Sequence, residues 1–150
     1  MTITRRQALA LGAGAAVLTA AGLPSLAFAD DAKVQAAIDA FSGGAAPETG
    51  TVSLTAPEIA ENGNTVPIGV SVESPMTEAD HVTAVILLAA GNPQPGVATF
   101  HFSPMSGAAE ATTRMRLAKT QDVIALAKTS TGKVYMDRKS VKVTIGGCGG

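Results

Sequence analysis

Val66-Pro67-Ile68-Gly69-Val70-Ser71-Val72 carries a β-branched residue at every second position, and Ser74-Pro75 closes the run. Side chains alternate across a strand, so this spacing predicts a strand with one buried face. The same period recurs through the chain. Val52 and Leu54 alternate with Ser and Thr upstream, and downstream Ala98, Phe100 and Phe102 share a face that Ser103-Pro104 ends. Ala111, Thr113, Met115 and Leu117 alternate with Arg114 and Arg116, a half-buried strand with a solvated basic face. Val123 to Ala127, Val134 to Met136 and the alternating Val141, Val143 and Ile145 complete the set, with Ser130-Thr131-Gly132 as a turn. Val82 to Ala90 is apolar but for Thr83, as expected of a central strand buried on both faces. Asn92-Pro93-Gln94-Pro95-Gly96 is a turn.

One helix precedes the strands. Val34, Ala37, Ile38 and Phe41 recur at helical spacing between Asp31 and Phe41, and Gly43-Gly44 stops the run. The prediction is an all-β fold: an immunoglobulin-like antiparallel β-sandwich of roughly seven or eight short strands, with one short N-terminal helix and a flexible C-terminal tail. The chain has no Trp and a single Cys, so the Cys-Trp-Cys hallmark of antibody domains is absent and the reading concerns architecture alone.

At 150 residues the chain holds one domain with a core and is too short for two ordinary ones. Its first 29 residues read as a signal peptide: Arg5-Arg6, an uncharged Ala- and Leu-rich stretch from Ala8 to Ala21, and a small-x-small site at Ala27-Phe28-Ala29. The paired arginines point to the twin-arginine route to the periplasm, although Ala8 stands where that signal usually carries an aromatic residue. An ordinary secretory signal and a retained membrane helix are the alternatives, and the cleavage site favours removal. The folded domain then covers 30–145 and the tail 146–150. Cleavage after Ala29 leaves nine basic and 12 acidic residues, a net charge of −3. That balance gives no footprint for nucleic acid, and no basic amphipathic stretch favours a membrane surface once the leader is gone.

Several suggestive patterns have blander readings. Gly12-Ala13-Gly14 lies in the leader, without the strand that a dinucleotide loop requires. Glu58 and Glu61 sit in a polar stretch ending at Asn62-Gly63-Asn64 and read as a solvated loop rather than a carboxylate pair. His81 and His101, with Cys148 and a Met, invite a blue-copper reading, but no His or Met follows Cys148 in the same loop. His101 alternates with Phe100 and Phe102 and so points outward. No catalytic constellation, metal site or cofactor site is assigned to this chain.

Cys148 decides the function. A single thiol in an exported protein makes no internal disulfide, so it pairs with another molecule, carries a group, binds a metal or lies inert in the core. Within Gly146-Gly147-Cys148-Gly149-Gly150 it has two glycines on each side, which leave it hard to bury and its backbone unrestrained. Extended, five residues reach roughly 17 Å, enough to carry a sulfur atom into a partner's pocket. Neither a cation next to the thiol nor a helix N-terminus lowers its pKa, which favours a carrier handle over a self-activated nucleophile.

Val141-Lys142-Val143-Thr144-Ile145-Gly146-Gly147-Cys148-Gly149-Gly150 resembles the C-terminus of the SoxY family, the sulfur-compound carriers of the bacterial Sox thiosulfate-oxidation system. The resemblance extends to Pro57 to Asn64, Val70 to Met76, Val97 to Phe102 and Arg116 to Gln121. It implies an immunoglobulin-like sandwich in a heterodimer with a SoxZ-like subunit that has no signal and is co-exported. It also implies that Cys148 is the covalent attachment point and that Gly146, Gly147, Gly149 and Gly150 form its flexible arm. A haem c enzyme, SoxXA, would couple thiosulfate to the thiol, and a manganese hydrolase, SoxB, would release sulfate. In some organisms a molybdenum–haem dehydrogenase, SoxCD, would oxidise the remaining sulfur. The metals belong to those partners, and this chain is no enzyme but a carrier between them. Two other functions compete. Ubiquitin-like sulfur donors also end in Gly-Gly but are adenylated by ATP-using enzymes, which an exported protein does not meet. The other is a non-catalytic structural or adhesive β-sandwich with an incidental Cys.

Overall fold

The computed structural model describes residues 26–147. Of the leader read over 1–29, only 26–29 fall within that range, and Cys148, Gly149 and Gly150 lie outside the described residues. The elements run α1 (Leu26–Ser42), β1 (Val52–Thr55), β2 (Ile59–Asn62), β3 (Val66–Val72), β4 (Val82–Ala89), β5 (Gly96–His101), β6 (Ala109–Met115), β7 (Gln121–Thr129) and β8 (Val134–Ile145). A single 3-10 turn, Pro104–Ser106, separates β5 from β6.

The strands form two sheets, β1-β3-β6 and β2-β8-β7-β4-β5. Their facing sides enclose one core, with Leu54, Val66 and Ile68 from the smaller sheet against Val85, Leu87, Val123, Ala125 and Val141 from the larger. The result is an immunoglobulin-like β-sandwich, as the period-two runs predict. Every pairing is antiparallel except β2 with β8 and an isolated bridge between Glu48 and Tyr135.

The continuous apolar character of the central strands has a clear cause. One face of β4 and β7 meets the other sheet, while Leu88, Ile124 and Leu126 on the opposite face meet Val34 and Ile38 of α1. A register shift between Val82 and Ala84 lets both Val82 and Val85 face the core. The helix thus covers what would otherwise be an apolar outer surface, and burying Val34 and Ile38 contributes about 1.5–3 kcal/mol each. At the end of α1, Gly43 and Gly44 take φ of 66° and 87° and donate their N–H groups to the Asp39 carbonyl at 2.9 and 3.3 Å.

Two sequence expectations change. Glu58 and Glu61 are exposed as expected, but the stretch is not a loop: Ile59–Asn62 is an edge strand, parallel to β8, with Ala60 opposite Val143 and Asn62 opposite Ile145. Only Ala60 of β2 is buried, so the strand left almost no periodic signal. Val134 to Met136 and Val141 to Ile145 read as separate strands, yet they form one strand of 12 residues. The intervening Asp137-Arg138-Lys139-Ser140 stays on the β7 ladder because pairing needs only its backbone. Asp137 also accepts a hydrogen bond from the Leu54 N–H at 2.8 Å, tying β8 to the smaller sheet.

Leu126→Ala is expected to lower the unfolding free energy by about 2–5 kcal/mol in chemical denaturation, because it opens a cavity between sheet and helix. Met105→Ala, at a residue 97% exposed, should stay within about 0.5 kcal/mol of the parent.

Candidate functional site

The tail leaves the fold from the last residues of β8, where three segments converge. β7 begins at Gln121, opposite Val141, so beyond that point β8 has no partner strand on that side. Thr120 supplies the next contact: the Val143 N–H donates to its hydroxyl at 3.0 Å, and the hydroxyl donates back to the Val143 carbonyl at 3.4 Å. The strap Arg116-Leu117-Ala118-Lys119, between β6 and β7, then runs beside Gly146 and Gly147.

Gly63, in the turn after β2, closes the junction. Its N–H donates to the Ile145 carbonyl at 2.7 Å, and its own carbonyl accepts from the Leu117 N–H at 2.8 Å. The Gly147 N–H then donates to the Leu117 carbonyl at 2.9 Å. Three backbones therefore meet directly, with the Val143 side chain packed beside Gly63. A Cβ on Gly63 would collide with the Leu117 carbonyl oxygen and come within 2.7 Å of the Gly147 nitrogen. On Gly146 it would strike the Ala118 carbonyl oxygen, and on Gly147 it would come within 2.7 Å of the Gly63 carbonyl oxygen. None of the three has a left-handed φ, so these glycines are required for room rather than for conformation.

The predicted site residues separate accordingly. Cys148, Gly149 and Gly150 lie outside the described residues, while Gly146 and Gly147 form the root of the tail, with Gly147 buried and hydrogen-bonded. Gly146 and Gly147, expected as part of a flexible arm, are thus held against the domain among the described residues. His101 is exposed on β5, and the Nδ1 of His81 lies 2.9 Å from the Thr77 carbonyl oxygen. Sequence reasoning missed Gly63, which it took for an ordinary turn residue within Asn62-Gly63-Asn64. It also found no cation next to the thiol, and the fold brings the strap, with exposed Arg116 and Lys119 at its ends, beside Gly146 and Gly147. Only the resemblance over Arg116 to Gln121 hinted at that segment.

Among the described residues no helix is long and apolar enough to cross a membrane. A family model described as sulfur oxidation protein SoxY matches residues 38–148, a span that includes Cys148. No curated protein matches the chain in sequence. Among solved structures, the sulfur carrier protein SoxY from Chlorobium limicola f thiosulfatophilum is 34% identical, with a TM-score of 0.63. That match covers 77% of this chain and 99% of the other. A superoxide reductase (neelaredoxin) from Ignicoccus hospitalis is 22% identical over 63% of this chain and 80% of its own, with a TM-score of 0.56. At that identity the likeness is one of fold alone.

Gly63→Ala is expected to destabilise the protein by about 1–3 kcal/mol, since the junction has no space for a methyl group. Gly96→Ala, whose Cβ would meet nothing within 4 Å, is the matched control and should be neutral or slightly stabilising. Chemical denaturation of the two variants beside the parent checks both outcomes.

Proposed function

The chain belongs to the SoxY family of sulfur oxidation proteins, and on that premise we propose that it is a covalent carrier of thiosulfate-derived sulfur intermediates on the Cys148 thiol. The observation that carries this reading is the anchored root. Gly147 is fixed by its hydrogen bond to Leu117, and the residue that follows it in the sequence is the chain's single cysteine. A carrier needs its reactive atom to leave the domain at a defined place while the rest of the protein takes no part in the chemistry.

On this reading, loading joins the outer sulfur of thiosulfate to Sγ of Cys148 as a disulfide-type bond. The thiol loses its proton, and the two electrons released would leave one at a time through the haem c of a SoxXA-type enzyme to further one-electron acceptors. Water then cleaves the terminal sulfone group as sulfate in the active site of a SoxB-type hydrolase. Where a SoxCD-type dehydrogenase is present, it oxidises the sulfane sulfur left on Cys148. The chain itself supplies the handle and not the catalysis. Gly149 and Gly150, with no side chains, let the loaded thiol enter narrow clefts. The partner subunit is a SoxZ-like sandwich, and the setting is the periplasm, reached through the Arg5-Arg6 signal.

Intact-mass measurement of protein purified from thiosulfate-grown cells should show sulfonate or extra-sulfur adducts on Cys148 that reductant removes. An unmodified thiol under all growth conditions would overturn the proposal. Cys148→Ser should abolish growth on thiosulfate while leaving the unfolding free energy within about 0.5 kcal/mol of the parent. Full growth of that variant would instead favour a structural sandwich with an incidental Cys.

A further inference from the structure

The strap that holds the tail root is itself held from behind. Asn92 and Gln121 are polar side chains only 5% and 7% exposed, and both face this segment. The Asn92 Nδ2 donates to the Arg116 carbonyl at 2.8 Å, and its Oδ1 accepts from the Ala118 N–H at 3.0 Å. The Gln121 Nε2 donates to Asn92 Oδ1 at 2.9 Å and to the Lys119 carbonyl at 3.0 Å. Its Oε1 accepts from the Gly91 N–H at 2.7 Å. Both amides thus have donor and acceptor engaged, the condition under which a buried polar network fixes a single geometry.

The strap's backbone divides its hydrogen bonds between two sides. Arg116, Ala118 and Lys119 bond inward to the two amides, and Leu117 bonds outward through both its N–H and its carbonyl to Gly63 and Gly147. The strap belongs to no strand, so these amides stand where a neighbouring strand would be. The Leu117 side chain is fully buried, which pins the middle of the strap between them.

We propose that Asn92 and Gln121 are positioning residues for the carrier thiol: a buried amide clamp that sets the Leu117 carbonyl from which the root of the tail hangs. The proposal deepens the carrier reading and takes its functional meaning from it. Its geometry involves none of the sulfur chemistry. Without the clamp, the inward groups of the strap lose their partners, the Leu117 carbonyl is no longer fixed, and Gly147 is released. The anchored part of the chain then ends before Gly147, and the point from which the chain continues to Cys148 is no longer defined.

The test uses the full-length protein and two readouts that need no thiosulfate. Native-state hydrogen exchange follows the Gly147 and Leu117 amides against those of the β4–β7 ladder. The electron paramagnetic resonance line shape of a nitroxide attached to Cys148 reports the motion of the tail. In Gln121→Met, exchange at Gly147 is expected to rise at least tenfold more than in the ladder, with a narrowed nitroxide line. If Gly147 accelerates no more than the ladder, or the line shape is unchanged, the clamp is only one more stabilising contact and the proposal fails. Should Gln121→Met not fold, Asn92→Ser gives the same comparison, since it leaves the Gln121 bond to Lys119 in place. Neither result depends on sulfur loading. A failed clamp therefore leaves the carrier function standing, and an unmodified Cys148 in the mass measurement leaves the clamp standing.

Discussion

β4 and β7 lie in the middle of the larger sheet with apolar side chains on both faces, and such a pair must be covered twice. Val85, Leu87, Val123 and Ala125 are covered by the smaller sheet. Leu88, Ile124 and Leu126 are covered by α1, through Val34 and Ile38. The order of the remaining parts follows from that demand. β8 pairs with β7 along its first eight residues and β5 pairs with β4, so the two ends of the larger sheet are the less buried β2 and β5.

The junction at the tail continues the same ladder by other means. Past Gln121 β7 gives β8 no further partner, so beyond Val141 only β2 is paired with it, and a strand end left open on one side would fray. Thr120 and the Leu117 backbone bond the chain beyond Val141, while Gly63 continues the β2 side by one hydrogen bond to Ile145. Where the strap, Gly63 and the root of the tail meet, backbone lies against backbone more closely than side chains allow, which is why glycine occupies positions 63, 146 and 147. The glycines before Cys148 therefore have a packing role that their reading as pure flexibility leaves out.

The elements that were legible in the sequence are those whose burial leaves a period. Val66 to Val72 shows one buried face, Val82 to Ala90 shows two, and Val34 with Ile38 marks the helix face, so the sandwich and its covering helix follow directly. β2 was hidden because its stability comes from a parallel backbone partner and a single buried Ala60. The unity of β8 was hidden because four polar residues interrupt its apolar pattern without interrupting its hydrogen bonds. At the site, Cys148 stood out by composition alone. Gly63 and Asn92 sit in segments rich in turn residues, and nothing local distinguishes a turn former from a residue that packs against a distant strand. Their roles come from partners far along the chain, Gly147 and Arg116.

The length of β8 has a mechanical meaning. On the proposed carrier reading, a thiol held in another protein's cleft must be withdrawn, and the load would enter the domain at the end of β8. β8 is 12 residues long, with β7 antiparallel on one side and β2 parallel on the other. A load along its axis strains these hydrogen bonds together, in shear, instead of peeling them off one after another. On that reading, pairing on both sides of β8 resists tension applied through the tail.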